Sequence, residues 1–118
     1  MLIAEDEFLL AGVVTDLVRL HGGTVVGPVS TERDARKLID ELPVDIAVLD
    51  VMLSGGPCFA LAEELTERGV PVILTTGQAM SRIPRSLSGL SVFSKPLKVA
   101  PLVDRIAELC GRARTKAS

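Results

Sequence analysis

Short apolar runs of four to eight residues recur five times along the chain, and longer segments separate them. The runs are MLIA (1–4), TVVGPV (24–29), VDIAVLD (44–50), VPVILTTG (70–77) and SVFSKP (91–96). Three of the intervening segments read as amphipathic helices bounded by caps and breakers. In 6–22 the apolar residues Leu10, Val13, Val14, Leu17 and Val18 share a face, and Gly22-Gly23 stops the helix. Segment 30–42 opens on Ser30 or Thr31 as N-cap and closes at Pro43. Segment 54–69 is a turn and then a helix ending at Gly69. Segment 78–90 is interrupted by Pro84 and Gly89, which predicts a short or distorted helix. The last helix, 97–113, places Val99, Leu102, Val103, Ile106 and Cys110 on one face, with Pro101 in its first turn. This alternation predicts an α/β fold, a parallel sheet with helices on both faces. Right-handed crossovers leave few strand orders.

At 118 residues the chain is the size of one domain, and no linker, repeat or low-complexity stretch divides it. With three Phe and no Trp or Tyr, its core must be aliphatic. The net charge of −2 and the lack of a basic block argue against direct nucleic-acid binding. Only GRARTK (111–116) is basic, and it reads as a frayed tail. Cys58 and Cys110 match no metal or redox spacing and read as two reduced thiols. No run reaches membrane-span length, and the acidic N-terminus is unlike a signal peptide, so a cytoplasmic location is expected.

Polar residues collect where apolar strands end: Glu5-Asp6 after the first, Asp50 on the third, Thr75-Thr76 on the fourth and Lys95-Pro96 on the fifth. In a parallel sheet these carboxyl ends share one edge, where ligands bind at the reversal of strand order. In the order 2-1-3-4-5, strands 1 and 3 meet at that reversal, which brings Glu5, Asp6 and Asp50 together. Each residue also has a plain explanation. Asp6 can cap the first helix, Asp50 can be a turn residue, Thr75 and Thr76 suit a strand, and Lys95 can be a solvated lysine beside a turn. Their convergence on one edge favours a site. Clustered carboxylates repel unless a cation sits among them, and Mg²⁺ suits one or two carboxylates plus a phosphoryl oxygen. Asp50 would then be the nucleophile toward phosphorus, with Lys95 and the Thr76 hydroxyl placed to meet phosphoryl oxygens.

The motifs AEDE (4–7), DVML (50–53) followed by SGG, VPVILTTG (70–77) and FSKP (93–96), in this order and at these spacings, resemble the receiver domain of response regulators in two-component signalling. The likeness extends to a group of single-domain receivers common in alphaproteobacteria. It implies the flavodoxin-like (βα)5 order 2-1-3-4-5, with a receiver over 1–113 and a tail over 114–118. It implies Asp50 as phosphoacceptor, Mg²⁺ held by Asp6, Asp50 and the Met52 backbone carbonyl, and Glu5 acting through water. It further implies Thr76 rather than Thr75 as the switch hydroxyl, Lys95 as the phosphate-reading lysine, and a cis Lys95-Pro96 bond. The phosphoryl donor would be a histidine kinase or histidine phosphotransfer protein. A downstream protein partner would read a face made of the fourth helical segment, the fifth strand and the last helix. Direct nucleic-acid and membrane partners are not expected. His21, the only histidine, reads as a helix-end residue.

One departure concerns the residue three before the lysine, often Tyr or Phe in such domains and here Val92. Its neighbour Phe93 points to the opposite face by strand alternation. The broad apolar arc of the first helix, Leu9 to Leu20, is either core packing alone or core plus a patch for a kinase helix or a homodimer. Several other readings stay open: a receiver-like docking module that never carries phosphate, or a fragment of a larger regulator or hybrid kinase. A metal-dependent phosphatase would need an acid two positions after Asp50, where Met52 stands, and a flavin carrier would need stacking aromatics.

Overall fold

The computed structural model describes residues 1–5, 8–20, 24–54, 56–77, 83–95 and 99–117; at 8–10, 99 and 110–117 it describes the backbone alone. Five strands form one parallel sheet: β1 (Leu2–Ala4), β2 (Val26–Val29), β3 (Ala47–Asp50), β4 (Val72–Thr76) and β5 (Ser91–Ser94). Their order is β2-β1-β3-β4-β5, the expected 2-1-3-4-5. The helices are α1 (Phe8–Leu20), α2 (Glu32–Glu41), α3 (Phe59–Glu67) and α4 (Val99–Ala117). Between β3 and α3, Met52–Leu53 and Gly56–Pro57 pair as a small antiparallel ribbon.

Alternation along the central strands divides the core in two. Leu2, Ala4, Ala47, Leu49, Val72 and Leu74 face one way, under Ala35 of α2 and Leu61, Ala62 and Leu65 of α3. Ile3, Val48 and Ile73 face the other way, under Val14 and Val18 of α1 and Leu102, Ile106 and Leu109 of α4. Both faces of β1, β3 and β4 are thus covered, which accounts for their uninterrupted apolar sequence. β2 is an edge strand and tolerates Pro28, which has no N–H to give to a ladder.

The helix ends follow local chemistry. Thr31 caps α2 through its hydroxyl, which accepts from the Asp34 amide at 3.1 Å. Gly69, at φ +81°, closes α3. Its N–H donates to the Thr66 carbonyl and that of Val70 to the Leu65 carbonyl, a Schellman pairing.

The packing of α1 and α4 differs in detail from the sequence reading, while the interrupted segment before β5 is short, as expected. Among the described side chains of α1 the buried ones are Ala11, Val14, Thr15 and Val18, while Val13 is 47% exposed; that of Leu10 lies outside the described residues. The helix is apolar on more than one face, so periodicity alone could not choose which residues turn inward. In α4, Leu109 joins the core, and the helical backbone continues to Ala117. Within 83–90 the described backbone makes a single 3₁₀ turn, Arg85–Leu87, entered from Pro84. Leu87 anchors that turn in the core, and Ser86 Oγ donates to Glu63 Oε1 of α3 at 2.6 Å.

Candidate functional site

The carboxyl ends of β1, β3, β4 and β5 lie side by side, and they bring Glu5, Asp50, Thr75, Thr76 and Lys95 to one edge. Asp50 closes β3 in register with Thr75 of β4, and Thr75 is in register with Phe93 of β5. Backbone bonds tie these ends together: Val51 N to Thr75 O at 2.8 Å, and Lys95 N to Thr76 O at 2.8 Å. Each side chain therefore projects from a strand end fixed by its neighbour, and not from a free loop.

Asp50 and Glu5 are buried carboxylates, 4% and 6% exposed. Lys95 resolves the charge problem this poses. Its Nζ lies 2.8 Å from Asp50 Oδ2 and 3.1 Å from each carboxylate oxygen of Glu5. One ammonium just past β5 thus spans β4 and bridges two carboxylates, one at the end of β3 and one just past β1, as buried charge requires. The other oxygen of Asp50, Oδ1, accepts from the Met52 amide at 3.1 Å, which fixes the carboxylate plane. Met52 itself is 38% exposed.

The turn after Asp50 is held from two sides. Cys58 N donates to Val51 O at 2.9 Å, and Ser54 N donates to Ser30 O at 3.0 Å, joining the turn to the start of α2. Cys58 is fully buried behind the turn. Burial pushes its thiol up to about 12, and the negative charge of Asp50 acts in the same direction. The thiol stays protonated and packs as a small hydrophobe.

Of the residues singled out from sequence, Glu5, Asp50 and Lys95 meet directly, and Met52 reaches Asp50 through its amide. Thr76 is buried at the end of β4. By alternation it shares a face with Val92, which packs in the cluster under α2 and α3, whereas Phe93 packs on the α1–α4 side. Asp6, His21 and Pro96, and with Pro96 the expected cis bond, lie outside the described residues. Among the described residues no three His, Cys, Asp or Glu side chains converge on a point. The two carboxylates do share a cation, the Lys95 ammonium, and an all-oxygen anionic set of this kind suits a hard divalent ion such as Mg²⁺. Two elements escaped the sequence reading. The ribbon 52–57 lacks any apolar period, and the lateral placement of Thr75 beside Asp50 is visible only once the register is known.

Comparison with known proteins agrees with this geometry. Residues 1–107 match the model of the response regulator receiver domain. The heme response regulator HssR of Staphylococcus aureus is 30% identical over 116 residues, covering 95% of this chain and 51% of its own length. The chain spans 38%, 47% and 51% of three curated relatives it matches, about half of their length or less. Among solved structures, a CheY-like receiver domain from Methanospirillum hungatei JF-1 superposes with a TM-score of 0.86 at 19% identity, covering 98% of this chain and 95% of that one. SdrG from Sphingomonas melonis Fr1 superposes with a TM-score of 0.75 at 30% identity, covering 95% and 92%. No helix among the described residues is long and apolar enough to cross a membrane. The fold, the strand order and the match over 1–107 make this chain a member of the response regulator receiver domain family of two-component systems.

Proposed function

We propose that this receiver takes a phosphoryl group onto Asp50 from a phosphohistidine on a histidine kinase or phosphotransfer protein, and passes the signal to a downstream protein by reshaping its surface. The observation that carries this reading is the Lys95 ammonium, 2.8 Å from Asp50 Oδ2 and 3.1 Å from Glu5. A nucleophilic carboxylate must be oriented and screened from its neighbours, and the Met52 amide and the Lys95 ammonium on Asp50 support that reading.

A carboxylate oxygen of Asp50 attacks phosphorus in line with the leaving imidazole. The P–N bond breaks as the P–O bond forms, and the imidazole leaves with the electron pair and takes up a proton. The Met52 amide holds Oδ1 throughout, so the carboxylate is aimed before reaction. The charge gained at the phosphoryl oxygens draws Lys95 from the carboxylates to the new group. Asp6, Asp50 and the Met52 carbonyl would hold Mg²⁺, with Glu5 acting through water; the ion would neutralise charge on the transferred group.

Thr76 is the hydroxyl that would report the new phosphate. Its carbonyl already bonds the Lys95 amide, so the two reporting residues move as one edge. The response spreads through the 3₁₀ turn, β5 and α4, the face offered to the downstream partner. Val92 stands where an aromatic would otherwise couple to the threonine, and Phe93 lies on the other face. The coupling then rests on aliphatic packing around Leu74, Leu87 and Val92. The receiver unit extends over 1–113, with 114–118 outside the site, and functions in the cytoplasm.

The test is Mg²⁺-dependent phosphorylation by a small-molecule donor, followed by intact-protein mass spectrometry. Wild type should gain one phosphoryl group and Asp50→Asn none. Equal labelling of both would remove Asp50 from the role, and labelling of neither would leave a docking module that works without phosphate.

A further inference from the structure

The Thr75 hydroxyl is buried, with its residue 2% exposed, and it has no hydrogen-bond partner among the described residues. An orphaned buried hydroxyl is costly, and a native fold keeps one only where something offsets the cost. Its position narrows what that is. Thr75 is directly in register with Asp50 on one side and Phe93 on the other. In a parallel sheet, residues in register project to the same face. Strand alternation places Ile73 in the core under α1 and α4, and Thr75, two residues on, belongs to that face. Phe93 packs there too, and Lys95 follows it by two. Val48 lies on the same face two residues before Asp50, and Ile3 two before Glu5. The Lys95 bridge to Asp50 and Glu5 therefore crosses β4 on the face that Thr75 occupies. Thr76 belongs by alternation to the opposite face, with Leu74 and Val92.

A valine would fill this position with nearly the same shape and no orphaned hydroxyl. The hydroxyl is thus a spare donor beside the nucleophile, at a buried position where such a donor is worth most. We propose that Thr75 is a second hydroxyl of this site, idle in the unmodified protein, which donates to an oxygen of the aspartyl phosphate on Asp50 when Lys95 leaves the carboxylate for the phosphoryl group. This rests on the reading of Asp50 as phosphoacceptor and extends it to a residue on the other face of β4 from Thr76.

The test uses Thr75→Val, which removes the hydroxyl at constant shape, and Thr75→Ser, which keeps it. Beryllium trifluoride with Mg²⁺ serves as the phosphoryl mimic, and its affinity is read by titration; thermal unfolding of the unmodified proteins is read alongside. The valine variant should bind the mimic about tenfold more weakly, the effect of one lost hydrogen bond to a charged group. Its thermal midpoint without the mimic should equal or exceed that of wild type, and serine should restore the affinity. Wild-type affinity in the valine variant would overturn the proposal, as would a weakened affinity that serine fails to rescue. No binding to wild type itself would bring down the phosphoacceptor reading, and this proposal with it; that result shows in the wild-type arm alone.

Discussion

The ammonium of Lys95, just past β5, lies 2.8 Å from Oδ2 of Asp50 at the end of β3, and it reaches Glu5 at 3.1 Å in the same span. Two buried carboxylates share this cation. Lys95→Met should leave both without it and cost about 3 kcal/mol of stability, as breaking a buried ion pair does. Urea denaturation checks this, and Lys95→Met combined with Asp50→Asn should recover part of the loss. A single variant as stable as wild type would show that the bridge contributes nothing.

Lys95→Ala should also separate chemistry from signalling. Asp50 keeps its orientation through the Met52 amide, so the variant should still accept phosphate, more slowly. It should fail to pass the signal on, because the group that follows the phosphate is gone. Full downstream output from phosphorylated Lys95→Ala would take Lys95 out of the switch.

The buried thiol of Cys58 gives a pH signature. Its value rises from 9.0 in the free group to about 12 in the fold. A folded value above the unfolded one contributes stability that is complete below pH 9 and drains away as pH rises toward 12, because the unfolded chain releases the proton first. Cys58→Ala should flatten this part of the stability profile relative to wild type, whatever its effect at neutral pH. Denaturation midpoints measured across the alkaline range decide it, with parallel profiles as the contrary result.

Neighbouring residues of α1 should respond very differently to truncation. Val14 is 3% exposed in the core between α1, α4 and the sheet, and Val13 is 47% exposed. Val14→Ala should cost about 2 kcal/mol from lost burial and the residual cavity. Val13→Ala should fall within about 0.5 kcal/mol of wild type, as surface changes do. Equal losses would mean that α1 packs with a different face.

Much of this architecture is legible in the sequence, and what is not has physical causes. The strands of VDIAVLD and VPVILTTG declare themselves because burial on both faces demands unbroken apolar residues. The site is legible because Glu5, Asp50 and Lys95 are polar where an apolar strand has no need of them. The inward face of α1 is not, since Val13, Val14, Leu17 and Val18 are alike in hydrophobicity and only packing separates them. The partnership of Asp50 with Thr75 depends on register between strands 25 residues apart (75 less 50), which no local pattern encodes. The ribbon of Met52–Leu53 with Gly56–Pro57 rests on Gly56 at φ +137°, a backbone that glycine alone adopts readily, and the composition SGGP gives only a turn.

The central claim is that phosphorus becomes bonded to the side chain of residue 50. Borohydride reduction followed by peptide mapping tests it most directly, since an acyl phosphate on aspartate is reduced to homoserine. After phosphorylation, homoserine should be found at position 50 and at no other acidic residue. Homoserine at another aspartate, hydroxynorvaline at Glu5, or a phosphorylated protein with residue 50 still aspartate, would contradict the account.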